Sequence, residues 1–172
     1  MNTDSPRDVV CTIGHSNLEI HEFVRLLTRE GIELVADVRT SPYSRYVPQF
    51  NRDVLAEVLP QHGIRYTFVG DVLGGRPADP CCLDRAGNPN YEEMARNVSF
   101  LEGVEKIAAQ ARECCVCLLC SEEDPSQCHR GLLIGRVLAE RGVAVLHIRK
   151  DGTTESQDEM KLRMARGQLT LF

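Results

Sequence analysis

Cys120, Glu122, Cys128, His129 and Arg130 follow one another across a single stretch, Leu-Cys-Ser-Glu-Glu-Asp-Pro-Ser-Gln-Cys-His-Arg. Carboxylate, thiol, imidazole and guanidinium in one loop are the ingredients of proton transfer, nucleophilic attack and anion binding. Glu122 can serve as general acid, general base or nucleophile, and Asp37 is a second candidate for the same roles. Cys128 beside His129 can become a thiolate, the more so if a helix begins there and turns its free N–H groups toward the sulfur. Arg39, Arg45 and Arg130 suit bidentate contacts to phosphate. Tyr43, Tyr46 and Phe50 interleave with Arg45 and Arg52, a composition that suits stacked bases. Each residue also has a plainer role. Ser16 with Glu19 reads as a capping box, Asp37 can simply pair with Arg39, and His15 or His147 alone is usually a satisfied polar group.

The elements that must position these residues follow from periodicity. Asp8–Gly14, Leu34–Val38, Arg65–Val69, the apolar run Cys114–Cys120 and Val143–Ile148 read as strands. Helical stripes fall at Ile20–Leu27, Val54–Leu59, Tyr91–Ala111 and from about Cys128 to Arg141. One joint recurs, at Gly31-Ile32, Gly63-Ile64 and Gly142-Val143: a helix, a glycine, an aliphatic residue, a strand. Strands and helices alternating in this way imply βαβ units. The expected fold is therefore a single doubly wound α/β domain over residues 1–150, with a mostly parallel five-stranded sheet and helices on both faces. The edge strand carrying His147 has the option of running antiparallel. In such a sheet the strand C-termini share one edge. His15, Ser16 and Asn17, then Asp37 and Arg39, then Cys120 and Glu122, and finally His147 and Arg149 all fall there. The opposite edge offers glycines and aliphatics. Gly70–Asn90 reads as a long loop, and its Gly74-Gly75 pair joins the expected substrate-binding set with His15, Ser16, Asn17, Arg39, Arg45, Tyr46, Arg130 and His147.

Composition narrows the function classes. The chain has 172 residues, 26% charged, and a net charge of -5. Long-range attraction therefore does not draw it to nucleic acid or membranes, and any nucleic-acid contact must come from a local basic patch. No apolar run approaches the ~20 residues of a membrane span. The polar N-terminus is not a signal peptide. The eight cysteines then read as reduced thiols in a cytoplasmic protein, with Cys114, Cys115 and Cys117 as core packing. Cys117-Leu-Leu-Cys120 has metal-ligand spacing, but on a strand its ends point to opposite faces. No metal ligand set and no cofactor is assigned. Residues 151–172 read as a polar tail with a short helix near Glu159–Ala165.

Together, Thr12-Ile-Gly-His-Ser-Asn17, Ala36-Asp-Val-Arg39 with Pro42, Ser44-Arg45 and Pro48, Leu73-Gly-Gly75, and Leu119-Cys-Ser-Glu122 followed by Asp124-Pro125 and Cys128-His-Arg130 resemble the domain-of-unknown-function 488 family over roughly residues 8–150. The resemblance implies a compact α/β domain and no established reaction. Three readings of the site stay open. The first is an enzyme cleaving a glycosidic or phosphate ester bond in a nucleotide or nucleic acid, with Asp37, Glu122, Cys128 and His129 as catalytic candidates. The second is thiol, redox or metal chemistry at Cys128-His129. The third is a nucleotide- or protein-binding module without turnover. Finally, Gln168, Leu169, Leu171 and Phe172, in Gln-Leu-Thr-Leu-Phe, resemble the peptide with which bacterial DNA-maintenance proteins dock on the replication sliding clamp. That docking would place the domain at replication or repair sites.

Overall fold

Every residue of Val116–Cys120 is buried. This strand, β4, lies inside the sheet with both faces covered, the condition under which an unbroken apolar run is stable. Alternation divides it: Val116, Leu118 and Cys120 join one core, Cys117 and Leu119 the other. The structure, a computed structural model, describes residues 8–169, the side chains of Gln168 and Leu169 excepted. The other strands are β1 (Val9–Gly14), β2 (Leu34–Asp37), β3 (Arg65–Phe68), β5 (Ala144–Ile148) and β6 (Thr154–Ser156). Their order is β3-β2-β4-β1-β5-β6. All neighbours are parallel except β5 and β6.

Helices cover both faces. Helix α1 (Ile20–Arg29) and α2 (Arg52–Gln61) pack Phe23, Leu26, Leu27, Leu55 and Leu59 on the Cys117 side. On the Cys120 side come α3 (Gly70–Leu73), α4 (Tyr91–Met94), α5 (Val98–Glu113) and α6 (Arg136–Glu140), the last preceded by a wide π-helical turn, Arg130–Gly135. Helix α7 spans Gln157–Leu169. This is the mixed α/β class read from the sequence. Gly31, Gly63 and Gly142 adopt positive φ, as the recurring joint requires. No helix among the described residues is long and apolar enough to cross a membrane.

Several local expectations change. The sheet has six strands rather than five, because the segment after Lys150 turns back as β6 and continues into α7. The antiparallel edge is therefore β6, while β5 stays parallel. Ser16 caps nothing: it takes a left-handed φ of 47° in the turn, and α1 has Glu19 at its N-cap with no side-chain bond. The expected Tyr91–Ala111 helix divides because the Asn97 side chain accepts the Phe100 N–H and starts α5 afresh. The clamp-like peptide Gln168–Phe172 lies outside the residues whose side chains are described.

What holds the last segment in place is a buried polar chain. Arg130, fully buried, donates from Nη1 to Thr12 Oγ1 at 3.0 Å and from Nη2 to the carbonyls of Glu122 and Glu123 at 3.0 and 2.5 Å. Thr12 Oγ1 lies 2.7 Å from His147 Nδ1, and His147 Nε2 lies 2.9 Å from Gln157 Oε1. Gln157 Nε2 donates to Gly131 O at 2.9 Å. Only one set of donor directions satisfies the chain. Because the Gln157 amide nitrogen faces Gly131 O, its oxygen must accept from His147 Nε2–H, and His147 Nδ1 must accept from Thr12. His147 is therefore neutral. Burial, reinforced by the Arg130 charge, lowers its pKa to about 4.

This neutrality gives a pH signature. Burial also lowers His15 to about 4. Both groups bind protons more readily unfolded, near 6.5, than folded, so their stability contribution is complete above pH 6.5 and is lost as pH falls toward 4. By pH 5 each should have cost on the order of 2 kcal/mol. Urea unfolding between pH 7.5 and pH 5 should show this loss. His147→Gln should be less stable at pH 7.5 yet lose less on acidification; an equal loss in both proteins would contradict a neutral His147.

Candidate functional site

Strands β2 and β4 are neighbours, but the chain leaves β2 toward α2 on one face and β4 toward α6 on the other. Backbones that part this way open a crevice beyond the strand C-termini. Here it is a cleft of about 380 Å³, walled by Arg39, Thr40 and Ser41 after β2 and by Cys120, Ser121, Glu122, Gln127, Cys128 and His129 after β4, with Gly75, Arg76 and Tyr91 closing it. The β1 turn braces the β4 loop. His15 N–H donates to Cys120 O at 3.0 Å and Ser16 N–H to Ser121 O at 2.8 Å, extending the β1–β4 ladder beyond the strands. A Cβ on Gly14 would overlap the Glu122 carbonyl oxygen, so this crossing requires glycine.

The β2 side of the cleft is a closed electrostatic unit. Arg39 grips Asp37 with two bonds, Nε to Oδ1 at 2.9 Å and Nη2 to Oδ2 at 2.6 Å, and adds its own N–H to Oδ1 at 3.1 Å. Tyr66 donates to Oδ2 at 2.7 Å, and burial together with that carboxylate raises the Tyr66 pKa. Asp37 is fully buried, and these contacts occupy both of its oxygens. Arg39 continues to Phe50 O at 2.8 Å and to His15 Nε2 at 3.2 Å. His15 must accept there, so its Nδ1–H donates to Ser16 O at 2.8 Å while the ring stacks on Phe50 at 4.4 Å. Asp37 and His15 therefore fix the wall, and Arg39 is their one member that reaches the cleft.

The floor is a thiol–imidazole cluster. The ligating atoms of Cys120, Cys128 and His129 lie within 4.8 Å of one another, all in buried residues. His129 Nε2–H donates to Val38 O at 3.0 Å, which leaves Nδ1 facing Cys120 Sγ at 3.8 Å. Gly75 packs on that ring, where a Cβ would come within 2.7 Å of Nδ1. The neighbouring Cys128 thiol, with help from His129, lowers the Cys120 pKa. The same contact raises that of Cys128, although Arg130 N–H also reaches Cys128 Sγ at 3.4 Å. Of the two thiols, Cys120, which faces His129, is the one eased toward the thiolate, whereas the sequence reading places the reactive thiolate at Cys128. The helix does start just after Cys128, where Leu132 N–H bonds to Cys128 O and Arg130 N–H reaches the Cys128 sulfur, but the neighbouring Cys120 and burial oppose charge on that sulfur.

The remaining candidates separate. Glu122 is exposed on the cleft wall, and its carboxylate has no partner among the described residues. Arg130 and His147 face away, in the buried chain behind the loop. Ser16, Asn17, Arg45 and Tyr46 do not line the cleft; Arg45 stacks on Tyr46 at 4.7 Å in the exposed loop that continues from Ser41. Gly74 packs against Thr40 and Gly70. Thr40, Ser41, Arg76, Tyr91 and Gln127 line the cleft without a sequence signal; only the position of Arg76 after Gly74-Gly75 hinted at it. A second cavity, about 520 Å³, lies elsewhere, among Arg149, Arg163, Glu123 and Glu155. Its charges already pair with each other at 2.7–3.0 Å, so it is a solvated ion-pair groove.

Neither curated proteins nor solved structures give a match to the chain. A family model does, over residues 19–137. The match takes in the Asp37–Arg39 wall, the Gly74-Gly75 loop and the Cys120–Cys128–His129 floor. With well over half of its residues covered, the chain belongs to the family described as Domain of unknown function DUF488.

Proposed function

We propose that the cleft belongs to a hydrolytic enzyme that acts on a nucleotide or single-stranded nucleic acid at a glycosidic or phosphate ester bond. The observation that carries this reading is the meeting of three unsatisfied chemistries at one opening: the sulfur–imidazole floor, the free carboxylate of Glu122, and Arg76, whose guanidinium has no partner among the described residues. Water supplies the new bond. Glu122 takes a proton from it as its oxygen attacks carbon or phosphorus, and returns that proton to the departing oxygen or nitrogen. Arg76 holds phosphate. Tyr43 and Tyr46, 59% and 78% exposed, sit on the loop leading out of the cleft, where bases can stack.

Turnover on a panel of nucleotides, single strands and damaged duplexes tests this. Glu122→Ala should lower kcat by roughly 10²-fold or more, and Arg76→Ala should raise KM more than it lowers kcat. No turnover on the panel, or an unaffected Glu122→Ala enzyme, would sink the reading.

The sequence of the final five residues supports recruitment by a bacterial sliding clamp. Leu169, Leu171 and Phe172 would fill an apolar groove, and the ordering of a terminal segment would hold affinity to roughly micromolar. The full chain should bind a purified clamp, and Leu171→Ala/Phe172→Ala should not. Equal binding by both would remove the clamp from the account.

A further inference from the structure

We propose that Cys120, Cys128 and His129 form a zinc site with three protein ligands and a fourth position open to the cleft. The donor set is two sulfurs and one imidazole nitrogen, which selects a soft or borderline metal. The spacing is right. With Zn–S near 2.3 Å and Zn–N near 2.05 Å at a tetrahedral angle, sulfur and nitrogen sit about 3.6 Å apart and two sulfurs about 3.8 Å. Cys120 Sγ and His129 Nδ1 are 3.8 Å apart, and all three donor atoms fall within 4.8 Å.

The surroundings are those of a prepared site. Metal-binding histidines commonly donate their second N–H to a carbonyl, which fixes the tautomer and aims the other nitrogen. His129 does this through Val38 O, and Gly75 packs closely against the His129 side chain. Arg130 N–H supports the Cys128 sulfur at 3.4 Å. Two thiolates and a neutral imidazole balance a dication, so the filled site adds no net charge to a buried floor. All three ligands line the cleft; Cys120 ends β4, and Cys128 and His129 join the 3₁₀ turn Pro125–Gln127 to the π-helical turn. The sequence leaves metal chemistry at Cys128-His129 open without a ligand set, because no paired Cys-x-x-Cys marks one; the signal is a strand-end cysteine followed by an adjacent Cys-His.

A water in the fourth position would be the water of the proposed hydrolysis, polarised by the metal and deprotonated by Glu122. This role rests on the reading above; the metal site itself does not. The full chain, purified from zinc-supplemented medium, should carry about one zinc per molecule by elemental analysis. Cys120→Ser and Cys128→Ser should each retain less than about a tenth of it, while Cys81→Ser, an exposed cysteine outside the cluster, should match the parent. The cobalt(II)-substituted parent should show thiolate-to-metal charge transfer. A measurement on the unmutated chain guards against misfolded variants: zinc added to chelator-treated protein should block iodoacetamide at Cys120 and Cys128, mapped by mass spectrometry, and leave Cys115 labelled. A parent chain that neither carries nor takes up zinc, or labelling indifferent to zinc, would overturn the site. Zinc bound with no turnover on any substrate would overturn only the hydrolytic reading, and turnover undiminished by metal removal would overturn only the metal's catalytic role.

Discussion

The buried guanidinium of Arg130 is the contact on which the rest of the site depends. A fully buried cation is tolerated only when most of its donors are met; here a threonine hydroxyl and two loop carbonyls meet the two terminal nitrogens, while Nε has no partner among the described residues. The two carbonyls belong to Glu122 and Glu123, so satisfying the charge also folds the β4 loop back over the sheet. That fold places the free Glu122 carboxylate on the cleft wall and brings Cys128 and His129 over Cys120. One side chain thus couples β1, the loop, the π-helical turn and, through His147 and Gln157, the start of α7.

The cleft combines two such closed units with an open interior. On the β2 side, Asp37, Arg39, Tyr66 and His15 satisfy one another. Behind the β4 side, Thr12, His147 and Gln157 do the same, and Thr12 with the two loop carbonyls holds the terminal nitrogens of Arg130, whose Nε alone has no partner among the described residues. Networks of this kind are rigid because removing one member strands the others. Between them lie groups with unused capacity, Glu122 and Arg76, above sulfurs and an imidazole held in a fixed orientation. A rigid frame around underused polar groups is the arrangement that preorganised chemistry needs.

Much of this was legible in the sequence. The helix–glycine–strand rhythm pointed to the parallel sheet, and the polar residues at the strand ends mark the edge where the cleft opens. Cys117 and Cys120 do point to opposite faces, as strand alternation demands. Roles were harder to read than places. Asp37 and Glu122 look alike as letters, yet one lies at the centre of an ion pair and the other stands free, a difference set by Tyr66 and Arg39. Arg130 looked like an anion ligand because its neighbours are reactive; its direction is set by Thr12, far away in the chain. The sixth strand was missed because Thr154–Ser156 is short and polar, and its pairing depends on β5 rather than on any pattern of its own.

The central claim is that Arg130 acts by clamping the loop onto β1 rather than by touching a substrate. Amide hydrogen exchange in an Arg130→Met variant tests it most directly. The N–H groups of His15 and Ser16 report the clamp, since they bond to Cys120 O and Ser121 O. Loss of the clamp should speed their exchange by about a hundredfold or more, with Leu118 at the sheet centre affected far less. Exchange at His15 and Ser16 as slow as in the parent, or acceleration equal to that of Leu118, would contradict the account.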